Sequence, residues 1–227
     1  MFFENRTDAG QRLAKVLLGL NRDFSNWEVV GLARGGVIVA AEVAKALNLP
    51  LQSFCVDDFE TTRPKGTVVV TSLGSGTWYP TRITPRNQIT FSMSVSTFRI
   101  KGLSRFADEV KQRDDRFNSG NFFPLPERTI LCDDGIVSGR SAVTAITALH
   151  SRGVRKIILA IPVVLPWVIE GTLKYFVHEI VTWRKATRKD APTGMFYYSF
   201  KEVTDEEVIR AVAANRQMIQ VRQNSGS

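Results

Sequence analysis

Apolar positions recur along the chain with two periods, and the switches between them mark its elements. From Asp8 to Leu20, the residues Leu13, Val16, Leu17 and Leu20 fall at helical spacing, with Thr7 available as a cap, which predicts a first helix. Glu28 to Ala33 (EVVGLA) is a short apolar run ending in Arg34-Gly35-Gly36, and Val37 to Leu47 resumes helical spacing until Pro50 stops it. The order is strand, glycine turn, helix. Leu51 to Val56 reads as a second strand. Thr67 to Ser72 and Gln88 to Ser92 read as β segments of an irregular or hairpin-like insertion punctuated by Gly74, Gly76, Pro80 and Pro85. Leu103 to Phe117 predicts a charged helix with few apolar anchors, largely solvated or mobile, ended by Asn118-Ser119-Gly120.

The second half is more regular. Arg128 to Cys132 predicts a strand, Asp133 to Gly139 a tight polar turn, and Ser141 to Leu149 a helix. Lys156 to Val164 predicts another strand, Pro166 to Lys174 a helix opening with proline, and His178 to Trp183 a strand. Strands this continuously apolar, alternating with helices, predict a parallel sheet covered on both faces, a doubly wound, mostly parallel α/β fold. Thr204-Asp205-Glu206-Glu207 opens a last helix with acids in its first turn, and QVRQNSGS reads as a polar, frayed tail.

Composition narrows the partners and the compartment. With 227 residues, 44% of them hydrophobic, the chain can bury a full core without staples. Its two cysteines, Cys55 and Cys132, each close an apolar run, which argues against a disulfide framework or a zinc site and fits a reducing cytoplasm. No apolar stretch is long enough to span a membrane, and the start MFFENRTDAG has neither the basic residues nor the apolar run of a signal peptide. The net charge of +8 favours anionic partners, whether nucleotides, sugar phosphates or nucleic acid.

The sharpest chemical signal is TILCDDGIVSGRS, Thr129 to Ser141: an apolar strand, two carboxylates, then a Ser/Gly-rich turn opening a helix. In a parallel sheet such a turn lies at the carboxyl end of a strand, where ligands bind. Exposed amides around Ile136 to Ser141, the hydroxyls of Ser138 and Ser141, and the positive helix end would cradle a monophosphate. Asp133 and Asp134 beside it could accept hydrogen bonds from vicinal ribose hydroxyls. The plainer alternative is a strand-to-helix turn with an aspartate as cap. A second turn of this type, Gly31 to Val37, brings Gly35 and Gly36, which let amides approach an anion, and Arg34, whose planar fork suits phosphate. Neither GxxxxGK[ST] nor GxGxxG occurs, which counts against an ordinary ATPase or dinucleotide dehydrogenase.

These residues resemble the type I phosphoribosyltransferases, and more closely the stand-alone bacterial phosphoribosyltransferase-like proteins of unassigned substrate. The likeness runs through FENRTDAGQRLAKVL, GLARGGVIVAAEVAKAL, CDDGIVSGRS, GVRKIILAIPV and YYSFKEVTDEEV, in order. It implies a single domain over residues 1–220, with an insertion and flexible-loop region at 57–127, a hood at 184–203 and a polar tail at 221–227. It further implies binding of phosphoribosyl pyrophosphate (PRPP), or of a ribose 5-phosphate or nucleotide. By the same resemblance Arg34, Gly35 and Gly36 serve the pyrophosphate, Asp133 and Asp134 the ribose hydroxyls, and Gly135, Ile136, Val137, Ser138, Gly139, Arg140 and Ser141 the 5-phosphate. Mg²⁺ would be held mainly by ligand oxygens and water. The implied reaction displaces pyrophosphate from C1 of the ribose, Asp133, Asp134 and Arg34 acting electrostatically. The acceptor is not encoded in these motifs.

In the family, the strand after the Gly-Gly helix usually ends in Val-Arg-Lys; here it reads Val56-Asp57-Asp58. Those acids either hold an additional Mg²⁺ or turn away, with Arg63, Lys65, Arg82 or Arg86 supplying replacement charge. A second reading follows from the reversal: a non-catalytic PRPP- or nucleotide-sensing regulator whose basic surface binds nucleic acid, although no nucleic-acid motif supports it. A homodimer is the default assembly. His150 and His178 lie in no motif and read as solvated or packed; Phe196, Tyr197, Tyr198 and Phe200 read as core, or else as a hood that stacks a base. The basic stretch Arg99 to Arg116 reads as a solvated helix face.

Overall fold

A computed structural model describes residues 2–62, 65–72, 81–83, 89–91, 101–120, 125–135, 139–166, 173–186 and 192–225. Among the described residues eight strands form one sheet: β1 (Glu28–Ala33), β2 (Leu51–Thr62), β3 (Lys65–Ser72), β4 (Thr81–Ile83), β5 (Ile89–Phe91), β6 (Arg128–Cys132), β7 (Lys156–Val164) and β8 (Glu179–Lys185), in the order β5-β4-β3-β2-β1-β6-β7-β8. The segment β2-β1-β6-β7-β8 is parallel, and β3, β4 and β5 extend it antiparallel beyond β2. The parallel strands β1, β6 and β7 are buried along almost their whole length, which is why they read as unbroken apolar runs.

The described helices are α1 (Arg6–Leu18), α2 (Gly35–Leu47), α3 (Leu103–Phe117), α4 (Arg140–Ser151) and α5 (Asp205–Ser225). One apolar layer gathers Leu13 and Leu17 of α1, Val37 and Val43 of α2, Val110 of α3, and Val208 and Val212 of α5. The other gathers Ile146 and Leu149 of α4 with alternate residues of the same strands, Leu131, Ile157 and Leu159. The doubly wound architecture is as the sequence predicts.

Several details differ from the sequence expectations. The first helix starts two residues earlier than predicted, capped by Asn5, whose Oδ1 accepts from Asp8 N at 3.0 Å, rather than by Thr7. At α5, Thr204 and Glu207 form a reciprocal capping box: Glu207 N donates to Thr204 Oγ1 and Thr204 N to Glu207 Oε2. That helix continues through Ser225, so most of the tail read as frayed is helical. Of the helix expected from Pro166 to Lys174, 167–172 lie outside the described residues, and Leu173–Tyr175 is a 3-10 turn.

The largest correction concerns α3, which is packed rather than solvated: Leu103, Ala107, Val110, Asp114 and Phe117 are buried. The reason lies on β2, whose edge away from β1 pairs with β3 only from Cys55 onward. Side chains satisfy the earlier residues. Asn118 Oδ1 accepts from Ser53 N and Asn118 Nδ2 donates to Ser53 O, both at 3.0 Å. Asn215 of α5 does the same for Leu51 N and Leu49 O, and Asp114 Oδ1 accepts from Cys55 N at 3.0 Å. Buried backbone groups need partners, and α3 and α5 supply them through polar side chains.

Candidate functional site

Strand β1 has β2 on one side and β6 on the other, so the chain reverses its direction of progress across the sheet between β1 and β6. In open α/β sheets the crevice at the carboxyl end of such a switch is where ligands bind. Arg34 follows β1, Asp133 follows β6, and Asp57 lies beyond the stretch of β2 paired with β1. Three sequence-selected motifs therefore converge on one edge.

The two glycine-bearing turns are in contact. A Cβ on Gly36 would lie 2.9 Å from both Asp133 Cα and Cys132 O. A Cβ on Gly35 would collide with Asp134 Oδ2 and come 2.7 Å from Arg6 Nε. Only glycines allow this approach, so the Gly-Gly turn and the Asp-Asp turn lie directly against each other as parts of one candidate site. The Ala33–Arg34 peptide is cis. Gly135 packs against Thr193, and Gly139, in the left-handed region at φ +73°, opens α4 without a side chain over its first amides. Ile136, Val137 and Ser138 lie outside the described residues, as does the side chain of Arg140; Ser141 lies in the first turn of α4, half-buried.

The surroundings disfavour charge on both acids. Asp133 Oδ1 accepts from Asp134 N at 2.8 Å, and Arg6 Nε donates to Asp134 Oδ2 at 2.7 Å. Burial and then the charge of Asp134 push the Asp133 carboxyl well above the usual range; burial also raises Asp134, against the opposing pull of Arg6. Arg6 is itself fixed: Nη1 donates to Lys201 O at 2.6 Å and the guanidinium lies 3.8 Å from the centre of the Phe200 ring. Tyr197 donates its hydroxyl to Asp134 O and stacks between Phe3 and Phe200. Phe3 pairs with residues 196–198 through two backbone hydrogen bonds, so the chain's start and residues 192–203 together close this side. Burial raises the thiols of Cys55 and Cys132, which excludes a ready thiolate nucleophile at either position.

Beside Gly35 opens a cavity of about 410 Å³ lined by residues that include Arg6, Arg34, Asp57, Asp58, Arg113 and Glu202. Arg34 borders it, but its Nε donates to Asp205 Oδ1 at 2.7 Å and its Nη1 to Glu202 Oε1 at 3.3 Å. Asp57 forms an ion pair with Arg113 of α3. Among the described residues, then, the charge opposite Asp57 comes from Arg113, whereas the expected donors lie outside them: Arg63 and Arg86 wholly, Lys65 and Arg82 in their side chains. His150 is exposed, with its Nδ1 and Nε2 meeting Val154 O and Phe176 O at 2.8 and 2.9 Å.

Sequence reasoning missed Arg6, Arg113 and the acids Glu202 and Asp205, and it marked Tyr197 only as core or hood, without its bond to Asp134. Arg6 lies inside a block that carried the family likeness, yet nothing local marked its pairing, because its partner is more than 60 residues away, as is that of Tyr197. Arg113 was hidden in a helix whose charge pattern read as a solvated face.

The model of the phosphoribosyl transferase domain matches residues 4–208. The chain belongs to this family. Two curated proteins of Mycobacterium tuberculosis, from strains CDC 1551 / Oshkosh and ATCC 25618 / H37Rv, are named provisionally as phosphoribosyl transferases. Each is 30% identical over 211 residues, which cover 91% of this chain and 45% of theirs. The chain thus spans about half the length of those relatives. A crystal structure of the protein TT1426 from Thermus thermophilus superposes with a TM-score of 0.73 at 28% identity, covering 94% of this chain and 99% of that one. No helix among the described residues is long and apolar enough to cross a membrane.

Proposed function

We propose that the crevice formed by the turns at Arg34–Gly36 and Asp133–Ser141 binds PRPP, or the ribose 5-phosphate part of a nucleotide, and that the protein transfers the phosphoribosyl group with release of pyrophosphate. The observation that carries this reading is the contact of Gly35 and Gly36 with Asp133 and Asp134 at the switch point of the sheet. It leaves room for backbone amides on one side and carboxylates on the other, and no room for any other side chain at those two positions.

In this reading the amides around Gly139 at the start of α4 take the 5-phosphate, where the helix end favours an anion. Asp133 and Asp134 accept hydrogen bonds from the ribose hydroxyls, with Asp134 aimed by Arg6 and Tyr197. Displacement breaks the bond from C1 to the pyrophosphate oxygen, the bonding pair leaving with pyrophosphate, while the acceptor's lone pair forms the new bond to C1. Positive charge builds on the ribose ring, and the two carboxylates are the nearest groups able to stabilise it. Arg34 reaches the leaving group by exchanging Asp205 and Glu202 for phosphate oxygens.

Mg²⁺ fits the donor set. No cluster of three or more His, Cys, Asp or Glu suited to a metal occurs among the described residues, while Asp57 and Asp58 at the cavity offer hard carboxylate oxygens to an ion that arrives on the ligand. Bound there, Mg²⁺ would neutralise charge on the departing pyrophosphate.

The test is pyrophosphate release from PRPP and Mg²⁺ across a panel of purine and pyrimidine bases. Release that requires one acceptor, and that falls steeply in Asp133→Asn/Asp134→Asn, supports the transferase reading. Saturable PRPP binding with no release for any base would assign the site to ligand sensing.

A further inference from the structure

Among the described residues, three arginines border the cavity beside Gly35, and two of them are held by several partners each. Arg6 is held by Asp134, Lys201 O and the Phe200 ring, and Arg34 by Asp205 and Glu202. The third is Arg113, reached from α3 in the middle of the insertion, whose recorded partner is Asp57. We propose that Arg113 is a further cation that, beside Arg34, receives the pyrophosphate end of the ligand, taking over from α3 the place that acids now occupy at Asp57 and Asp58 of β2. The inference rests on the PRPP reading above and assigns one end of that ligand to a residue outside the family motifs.

The placement is built rather than incidental. The next residue, Asp114, is fully buried and accepts from Cys55 N, two residues before Asp57 on β2, and one turn later Asn118 grips both backbone groups of Ser53. Phe106 of α3 stacks on Phe59 of β2 at 5.1 Å between ring centres. The helix is therefore bolted to the strand on both sides of Arg113, which fixes where its side chain starts and aims it over the end of β2. Its side chain is about one-quarter exposed, in keeping with a guanidinium at a cavity wall. A planar fork on a rigid element suits bidentate contact with a diphosphate, and Asp57 meanwhile holds it in place. A swap of sign between β2 and α3 leaves the local charge balance intact: the acid on the strand is answered by the base on the helix.

The test compares PRPP with ribose 5-phosphate, both with Mg²⁺, by calorimetry. Wild type should prefer PRPP. Arg113→Met should raise the PRPP dissociation constant about tenfold or more, the scale of one lost charge-assisted contact, and leave that for ribose 5-phosphate within about twofold. Arg113→Lys, which keeps the charge without the fork, should fall between the two. The exchange Asp57→Arg/Arg113→Asp should recover much of the preference, because it returns the cation to the strand. An unchanged PRPP preference in Arg113→Met would overturn the inference while leaving the PRPP reading standing, and so would equal loss of both ligands in a folded protein. A wild type that binds neither ligand would overturn the PRPP reading and this inference with it.

Discussion

Gly35 sits against Asp134 so closely that a methyl group on its Cα would overlap the Asp134 carboxylate and press on Arg6 Nε at 2.7 Å. This contact joins two turns that lie about 100 residues apart in the chain, and it makes their chemistry interdependent.

Gly35→Ala is therefore expected to disturb the site before it disturbs the fold. The added carbon meets a side-chain carboxylate and a guanidinium, both of which can shift, so stability should fall by about 1–3 kcal/mol. Ligand binding should be lost more completely, because the shift displaces Asp134 from the crevice. Urea unfolding and calorimetry on the same variant separate the two effects.

Arg6 draws the Asp134 carboxyl downward against the effect of burial. Because burial has raised Asp133 and Asp134, the pair takes up protons at a higher pH than ordinary carboxylates, and affinity for ribose hydroxyls should weaken as pH falls through that raised range. Arg6→Met removes the opposing pull, so the weakening should begin at a still higher pH. Ribose 5-phosphate titrations at several pH values check this; superimposable pH profiles for wild type and variant would refute it.

Asn118 makes the missing half of a strand. Asn118→Ala would leave Ser53 N and O without their side-chain partners at a buried position, with an expected cost of about 1–3 kcal/mol in unfolding free energy for the lost hydrogen bonds. Asn118→Asp should be comparably harmful, since it keeps the acceptor for Ser53 N but turns the Nδ2 donor into an oxygen facing Ser53 O. Chemical denaturation measures both.

At the opposite end of the sheet, Glu28 opens β1 in a buried setting, and burial pushes its carboxyl up to about 8 despite Gln52 and Arg216. A folded-state value above the unfolded one means that the native state holds a proton the unfolded chain has released. Glu28 thus contributes its full stability below about pH 4.5 and loses it as pH rises toward about 8. Glu28→Gln should flatten that part of the profile and leave the variant more stable than wild type at pH 8, by an amount on the order of a few kcal/mol. Thermal unfolding from pH 5 to pH 9 reads the difference; parallel curves would contradict it.

The parallel sheet was legible because its strands are buried on both faces: the predicted bounds of Glu28–Ala33, Arg128–Cys132 and Lys156–Val164 coincide with β1, β6 and β7. The Gly-Gly and Asp-Asp turns were legible for a related reason, since each occupies only the few residues between a strand and its helix. The antiparallel extension was less so. Residues Asp57 to Thr62 are polar or half-exposed, yet they continue β2 because β3 lies alongside to take their hydrogen bonds. The role of α3 was hidden in another way: Asp114 and Asn118 look like surface residues in sequence, and only the unpaired edge of β2 explains why they are buried. Arg6, Arg113 and Tyr197 act through partners far away in sequence, a relation that periodicity does not carry.

If the turn after β6 holds a phosphorylated ribose, titration of ribose 5-phosphate into wild type and into Gly139→Val shows it, with circular dichroism to confirm that both are folded. Gly139 opens α4 at φ +73°, so a β-branched residue there both strains the turn and fills the approach to the helix amides. Saturable binding of one ribose 5-phosphate per chain in wild type, abolished in a folded Gly139→Val, is the expected result; no binding in wild type, or equal binding in both proteins, would show that this turn does not hold the phosphate.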